Sequence, residues 1–315
     1  MMRLFRTPSY DFIGKRRYAY VVSAIFIAIG LVSLVVKGGL HYDVDFAGGT
    51  LVQVRFAQAP TVAAVRSALA ATQLGEAVIQ EFGDAHEYIL RLPLSAQPAG
   101  PEEVSKRVQA ALNSASSLGA YEIRRVEFVG PQVGRDLQLQ ALYAVMAGVV
   151  GILLYIAIRF DLKGGVAAVI AVVHDVLVSV GALSLTNREF SLPVLAAILT
   201  IIGYSVNDTI VAYDRLRENR GKLGASKGLT FAQQINTAIN QTLSRTVLTA
   251  LTTFFAAGIL LFFGGKVLED FAFALFIGVI TGTYSTIYIA GALIVDWTTY
   301  VEGRMRARKK AVAKA

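Results

Sequence analysis

Cysteine is absent from the 315-residue sequence. A disulfide, a thiolate metal site and a cysteine nucleophile are therefore excluded. Charge is scarce as well, because Asp, Glu, Lys and Arg make up 17% of the chain, whereas soluble globular proteins average about 25%. Hydrophobic residues make up 55%. This composition favours a membrane protein over a water-soluble one.

Long apolar runs account for that composition. Six of them reach the length of about 18 residues with which an α-helix crosses a bilayer. In chain order, helices one to six are predicted at residues 18–36, 139–158, 165–185, 192–213, 246–263 and 271–295. The first run exceeds the apolar core of about 7–15 residues found in signal peptides, so we expect it to be retained. The sequence thus predicts a membrane α-helical bundle of six transmembrane helices.

Lysine and arginine collect on one side of these runs. They are abundant in the N-terminal segment 1–17, in the connection after helix four and in the tail 296–315, whereas the short loops opposite carry just Arg188 and Lys266. By the positive-inside rule, both termini are cytoplasmic. The net charge of +8 then reflects topology and attraction to anionic lipids of the bilayer. No basic face is interleaved with aromatic residues, so we expect no nucleic-acid partner.

The segment 37–138 lies outside the cytoplasm in this topology and has a different pattern. Alternating runs predict strands at residues 50–56, 76–82, 86–92 and 121–129. Helical periodicity, with a proline at each start, predicts helices at residues 60–72 and 101–116. The order β-α-β-β-α-β is that of ferredoxin-like domains. We therefore expect an inserted α+β ferredoxin-like extracytoplasmic domain.

A polar segment connects helices four and five. Residues 230–243 begin with Thr230 and have Gln233 three positions later, which is a capping-box pattern. Their apolar residues fall on one helical face. We expect a cytoplasmic amphipathic helix that lies along the membrane surface and serves as a connector.

Sequence patterns of known enzymes are weak or missing. The stretch FFGGKV (262–267) lacks the P-loop spacing, and neither H-E-x-x-H nor G-x-S-x-G occurs. Gly278 and Gly282 form a GxxxG pattern in helix six, which indicates close helix packing. The sequence predicts no cofactor, no metal site and no enzyme activity.

One carboxylate lies inside an apolar run. In the stretch GYSVNDTIVAYDRLREN (203–219), Asp208 precedes Asp214 at the charged boundary by about 9 Å of helix. A charge at the bilayer centre costs about 2.5 kcal/mol or more, so such residues face a partner or water and serve function. The position of Asp208, together with its neighbours Asn207 and Thr209, indicates a proton pathway. The alternative is a permanently protonated carboxyl that hydrogen-bonds to other helices.

Two further sites could belong to the same pathway. Arg245 begins a polar stripe on helix five and could reach Asp208, or could extend to the cytoplasmic interface instead. His174 and Asp175 lie near the middle of helix three. They indicate either a proton relay or a hydrogen-bonded pair that fixes helix packing. Adjacent helical residues diverge by about 100°, so at most one of them points squarely at the same partner.

Several stretches resemble one family, in order along nearly the whole chain. GYSVNDTIVAYDRLREN is similar to the helix-four signature of the SecF family, the integral-membrane accessory subunits of the bacterial Sec translocase. The other similar stretches are DVDFAGGT (43–50), FVGPQVG (128–134), HDV (174–176), QTLSRTVLT (241–249) and LFFGGKVLEDF (261–271). Ala47, where the family more often has Thr, and Ala212 with Tyr213 are mild departures.

This resemblance implies a fold of the resistance-nodulation-division type in the bacterial inner membrane. It implies a partner, SecD, with a matching set of helices. It also implies work with the SecYEG channel, in which the proton gradient helps unfolded exported polypeptides to move outward. Asp208 and Arg245 match the family's proton-pathway residues. The structural residues of the similar stretches are Asp45, Gly48, Gly49, Gly130 and Pro131.

Gly48 and Gly49 lie between helix one and the first predicted strand. Glycine tolerates backbone geometries that other residues resist. We predict a hinge that joins the outer domain to helix one, and the alternative is a simple tight turn.

Two other classes of protein share part of this pattern. A proton-driven exporter of small molecules or lipids has the same helical architecture, but it has two six-helix halves and larger outer domains. This chain has one half, so we expect an obligate second six-helix chain. An intramembrane aspartyl protease needs two carboxylates that share a proton. Asp175 and Asp208 could supply them, but the GxGD signature of that family is missing.

Overall fold

The structure is a computed structural model that describes residues 8–72, 74–82, 84–93, 101–221 and 228–312. Its elements in chain order are α1 (Arg16–Val36), α2 (Val44–Ala47), β1 (Gly49–Phe56), α3 (Val62–Ala70), β2 (Val78–Phe82), β3 (Asp84–Pro93), α4 (Pro101–Ser114), β4 (Tyr121–Val129), α5 (Pro131–Arg159), α6 (Leu162–Leu185), α7 (Leu192–Gly221), α8 (Phe231–Phe263), α9 (Lys266–Ser285) and α10 (Gly291–Val312). A π-helical turn, Thr286–Ala290, joins α9 to α10.

Six helices in the described part of the chain are long and apolar enough to cross a membrane. They are α1, α5, α6, α7, α8 and α9 with its continuation into α10. The predicted six-helix bundle is therefore confirmed. α5 begins ahead of the predicted second span because Pro131 occupies its first turn, where a missing N–H costs nothing. The basic tail continues α10 as far as Val312, and its last residues lie outside the described ranges.

The segment 230–243 differs from its prediction. The capping box is present, because the Gln233 N–H donates to Thr230 Oγ1 and the Thr230 N–H donates to Gln233 Oε1. The helix that starts there, however, runs without a break through the fifth span to Phe263. No glycine or proline interrupts residues 231–257, so nothing ends the helix at the membrane surface. The prediction of a separate surface helix is wrong.

The inserted domain has the predicted ferredoxin-like topology. Its four strands form an antiparallel sheet in the order β2-β3-β1-β4. α3 and α4 pack on one face of this sheet, where Val52, Leu69 and Val108 are fully buried in a common apolar cluster. Gly83, between β2 and β3, lies outside the described residues. The domain therefore has its own small core, separate from that of the bundle.

α6 and α7 supply much of the bundle core, and α9 packs closely against α7. A Cβ atom on Gly282 would lie 3.2 Å from Ser205 Cβ, and one on Gly278 would collide with the Ile201 side chain. Both glycines of the GxxxG pattern thus face α7, where small residues let two backbones approach. This contact brings Ser285, one turn beyond Gly282, to the polar cluster of α6 and α7.

Replacing Gly282 with Leu is expected to push α9 away from α7. Overpacking of this kind costs about 1–3 kcal/mol, and we expect thermal unfolding of the purified protein to shift to lower temperature accordingly. Gly151→Leu is the matched control, because a Cβ there meets nothing within 4 Å. Equal stability of the two variants would contradict close packing at Gly282.

Candidate functional site

Asp208 lies inside the bundle on α7 and is 2% exposed. Its Oδ2 atom accepts no hydrogen bond from any described residue. The Tyr204 hydroxyl, one turn earlier on the same helix, is buried, with the hydroxyl groups of Thr253 and Thr283 as its polar neighbours. Leaving buried polar groups unpaired costs free energy. Because folding alone would disfavour this arrangement, Asp208 is the centre of the candidate functional site.

Arg245 does not contact Asp208 in this structure. It is exposed on α8, and no ion pair within 4 Å joins the two groups among the described residues. The guanidinium acts on the carboxylate by electrostatic attraction at longer range. The next residue, Thr246, is buried at 3% exposure, and adjacent helical residues diverge by about 100°. Arg245 is therefore turned outward, which the polar stripe did not predict.

The two residues that flank Asp208 point in different directions. Asn207 is exposed on the face of α7 that this chain leaves uncovered. Thr209 is buried, its Oγ1 donates to the Ser205 carbonyl oxygen, and it lies 3.2 Å from Thr286 Oγ1. Thr286 is the first residue of the π-helical turn. π-Helical turns often mark functional sites, and sequence periodicity gave no sign of this one.

A small cavity adjoins Thr209 and the π-helical turn. Its lining residues are Thr209, Ala212, Tyr213, Leu216, Ile235, Ala238, Ile239, Thr286 and Gly291. Two of these residues are threonines, and the lining is largely apolar. The cavity lies between α7, α8 and the start of α10, on the side of Asp208 nearer to the charged end of α7.

Asp175 is the centre of a second polar group, in the middle of α6. It is fully buried and accepts three hydrogen bonds, from Ser205 Oγ at 2.6 Å, from Ser285 Oγ at 2.7 Å and from His174 Nδ1 at 2.9 Å. Ser205 lies on α7 and Ser285 on α9. The carboxylate thus ties three helices together, and its hydrogen-bonding capacity is largely used.

His174 extends this network to α1. Its Nε2 lies 3.0 Å from Ser23 Oγ, at hydrogen-bond distance. The ring also stacks on Tyr284, whose hydroxyl donates to the Ala19 carbonyl oxygen. Sequence reasoning singled out His174 and Asp175 but missed Ser23 and Ser285. The available signal was a small hydroxyl residue in each apolar helix.

The two carboxylates do not form a protease-like pair. The Asp175 carboxylate accepts hydrogen bonds from two serines and from His174. Asp208 has a free oxygen and shares no described hydrogen bond with Asp175. Aspartyl proteases need carboxylates that share one proton. In the described residues, no group of three or more His, Cys, Asp or Glu side chains could hold a metal ion.

The remaining predicted residues meet where the inserted domain joins the bundle. Gly48 (φ +76°) and Gly49 (φ +150°) have backbone angles that favour glycine, and a Cβ on Gly49 would collide with the Leu92 carbonyl oxygen. Gly130 precedes α5, and Pro131 is its first residue. A tight junction accounts for both glycines in this structure. A hinge at the same place stays a prediction.

Two of the stretches that resembled the SecF family pack against each other at this junction. A Cβ on Gly134, from FVGPQVG, would lie 2.7 Å from the Phe46 carbonyl oxygen, from DVDFAGGT. Gln138 Nε2 donates to that same oxygen at 2.8 Å. Close contact between α2 and α5 therefore explains why residue 134 is a glycine and why residue 138 has a hydrogen-bonding side chain.

Six apolar helices with ionisable groups buried between them, and a small inserted domain, define a multi-pass membrane protein of the transport class. Residues 108–300 match the family described as protein export membrane protein SecD/SecF, C-terminal. The chain belongs to this SecD/SecF family. The resemblance noted in the sequence is thereby confirmed, and the chain is a transport protein of the SecF type rather than an enzyme.

Curated relatives and solved structures agree with this membership. The protein translocase subunit SecF of Desulfurispirillum indicum is 45% identical over 97% of this chain and 96% of its own length. That of Pseudomonas aeruginosa is 40% identical over 90% of each chain. The crystal structure of SecDF from Thermus thermophilus superposes with a TM-score of 0.79 at 40% identity. This chain covers 40% of that SecDF chain, which in turn matches 95% of this one.

Proposed function

We propose that this chain acts with a SecD chain to couple the proton gradient to late steps of preprotein translocation through the SecYEG channel. The naming of its relatives as translocase subunits supports this role. The Thermus SecDF is described as a translocon-associated membrane protein. This chain matches 40% of it, so the rest of that chain can supply the equivalent of a separate SecD partner.

The buried, partly unpaired carboxylate of Asp208 is the observation that carries this proposal. A proton that arrives from the outer side neutralises Asp208 and removes its attraction for Arg245. Release of the proton to the cytoplasm restores the charge. Thr209, with the π-helical turn and the small cavity beside it, offers hydroxyl groups on the inward side of this step, and Asn207 faces the partner.

An exposed polar stripe on two membrane helices supports the need for a second chain. On α7, Thr200 and Asn207 are exposed, and on α8 Arg245 and Thr252 are exposed. Polar groups turned towards lipid tails are costly. Covering by SecD helices would remove them from lipid, while the exposed apolar faces of α1 and α5 suit the bilayer itself.

We assign His174 and Asp175 to helix packing, the second of the two roles that the sequence left open. A proton relay needs a group that can exchange its hydrogen bonds, and Asp175 already accepts three from three helices. In this role the pair fixes α7 relative to α6 and α9, and so holds Asp208 in place.

The orientation follows from charge. The basic segments at both ends of the chain support, by the positive-inside rule, a topology with both termini in the cytoplasm. The inserted domain then lies on the outer side of the bacterial inner membrane. There it can meet the exported polypeptide as it leaves the channel.

Co-purification tests this function together with export measurements. We expect the chain to be recovered with tagged SecD and SecYEG, and a deletion strain to lose the part of export that a protonophore abolishes. An unchanged export rate combined with accumulation of drugs in that strain would instead favour a small-molecule exporter. A functional proton-coupled particle that contains this chain alone would also contradict the proposal.

A further inference from the structure

A charged contact fixes the inserted domain to the loop between α6 and α7. Arg91, on β3 of the domain, donates from Nη1 to Glu189 Oε2 of the loop at 2.5 Å. Its Nε lies 3.3 Å from Asp43 Oδ1, just before α2, at ion-pair distance but without the alignment of a hydrogen bond. The three side chains are between 8% and 21% exposed. We call Arg91, Asp43 and Glu189, with Tyr42 and Phe190, the domain seat.

Backbone and aromatic contacts strengthen the domain seat. Tyr42 and Phe190 form a parallel β-bridge. The Phe190 N–H donates to the His41 carbonyl oxygen at 2.6 Å, and the Asp43 N–H donates to the Phe190 carbonyl oxygen at 3.1 Å. The Phe190 ring also packs between those of Tyr42 and Phe46, with centroids 6.1 and 5.6 Å away. Such a combination holds two backbones in one register.

The domain seat is continuous with the helix that carries Asp208. Phe190 is two residues before Leu192, the first residue of α7. The backbone of Leu192 lies near the Asp45 carboxylate, on α2. A displacement of α7 along its axis therefore acts on α2 and Arg91 without any flexible segment between them.

A second ion-pair group joins the same loop to the beginning of α9. Arg188 Nη1 donates to Asp270 at 2.6 Å, and its Nη2 donates to Glu269 at 2.9 Å. The Glu189 N–H donates to the other Asp270 oxygen at 3.3 Å. The loop is thus fixed to α9 on one side and to the inserted domain on the other. Few ways remain for it to move independently of either.

We propose that the domain seat, with Arg91 as its central positioning residue, transmits movement of α7 to the inserted domain. This inference rests on the proposed function, because it assigns the mechanical link between the membrane carboxylate and the outer side. It requires the seat to stay closed while α7 moves. A seat that opened during each cycle would disconnect the domain from Asp208.

Arg91 is central because it separates carboxylates that otherwise repel one another. Asp43 and Glu189 both approach it, and Asp45 and Asp270 add negative charge nearby. Burial raises the pKa of Glu189 above its ordinary value, and Asp43 and Asp270 add to this effect, whereas the charge of Arg91 opposes it. Without the guanidinium, like charges would push the loop and the domain apart.

The test combines loss of the charge with a covalent replacement. Arg91→Gln should lower gradient-stimulated export at least fivefold, which is about the lower end of the coupling found between two linked sites. Membrane insertion, recovery with SecD and gradient-independent export should persist. Arg107→Gln is the matched control, because its ion pair with Glu103 on the same domain is exposed.

A disulfide can close the domain seat without Arg91. Tyr42 and Phe190 are bridge partners, and such neighbours lie within the span of about 4.4–6.8 Å between Cα atoms that a disulfide needs. The chain has no other cysteine to interfere. Tyr42→Cys with Phe190→Cys should retain export when oxidised and should restore the Arg91→Gln variant. Reduction with dithiothreitol should remove that rescue.

Each outcome of this experiment is decisive. Full gradient stimulation of Arg91→Gln would overturn the inference, as would loss of export when the seat is locked, since a locked seat fails if it has to open. An Arg91→Gln variant that misfolds and is not rescued by the disulfide would reduce Arg91 to a folding role and overturn it too. Failure of the proposed function itself is seen separately, as gradient stimulation that survives Asp208→Asn.

Discussion

Replacing Asp208 with Asn is expected to abolish gradient-stimulated export and to leave the protein inserted and bound to its partner. Asparagine has nearly the same shape but cannot ionise, so no proton can bind and leave. One charge that crosses 100 mV releases about 2.3 kcal/mol, enough to shift a balanced pair of conformations by several tens of fold. Because one oxygen of Asp208 is unpaired in this structure, the substitution breaks no described hydrogen bond at that atom.

Export into inverted membrane vesicles, with and without an imposed gradient, measures this effect. ATP-driven entry of the exported chain into the channel should persist, because that step belongs to other subunits. Asp214→Asn is the matched control on the same helix. Asp214 pairs with Arg159 at 2.6 Å and is half-exposed at the charged end of the apolar run of α7, so its loss should leave the stimulation intact. Equal stimulation of the Asp208→Asn variant and the unchanged protein would make Asp208 a structural residue.

Replacing Asp175 with Ala is expected to destabilise the bundle rather than to remove a proton carrier. Three donors on three helices lose their shared acceptor. We expect the free energy of unfolding to fall by about 2–5 kcal/mol. The lower end follows from three lost hydrogen bonds at about 0.6 kcal/mol each in a membrane bundle. The upper end follows because each buried donor left without an acceptor costs about 1–3 kcal/mol. Thermal unfolding of the purified complex measures the loss, with Asp136→Ala, at an exposed site of α5, as the control.

The Asp175→Asn variant separates packing from proton relay. It keeps an acceptor oxygen, and the serine hydroxyls can rotate to accept from its amide. Most of the stability and the gradient-stimulated export should therefore remain. A stable Asp175→Asn variant that had lost gradient stimulation would contradict the packing role and make His174 and Asp175 members of the proton pathway.

The length of the apolar runs and the alternation of apolar with polar residues determine much of this structure. The six spans and the inserted domain could therefore be predicted. The strand at residues 121–129 and the start of α7 at Leu192 agree with the structure, because turn residues and prolines end the runs there. Burial of Asp208 also followed from sequence alone, since its position in an apolar run leaves few places for it to point.

Other features depend on how helices rotate and pack, which periodicity does not determine. The sequence put Arg245 on a polar stripe but could not fix its outward direction, which depends on Thr246 facing the core. The π-helical turn begins at Thr286, which contacts Ser205 and Thr209 of α7, and such contacts between distant segments do not show in the periodicity. Arg91 and Glu189 are ordinary charged residues in the sequence, and their pairing depends on how the inserted domain sits on the loop before α7.

Proton flow is the most direct test of the claim that Asp208 carries the coupling. Liposomes that contain the complex of this chain with SecD and SecYEG, and an enclosed pH-sensitive dye, report proton exit from the lumen, which corresponds to the outer side, while a preprotein is translocated into the lumen under an imposed gradient. The account predicts proton exit with the unchanged protein and with Asp214→Asn, and none above background with Asp208→Asn. Proton exit at the unchanged rate in the Asp208→Asn complex would contradict it.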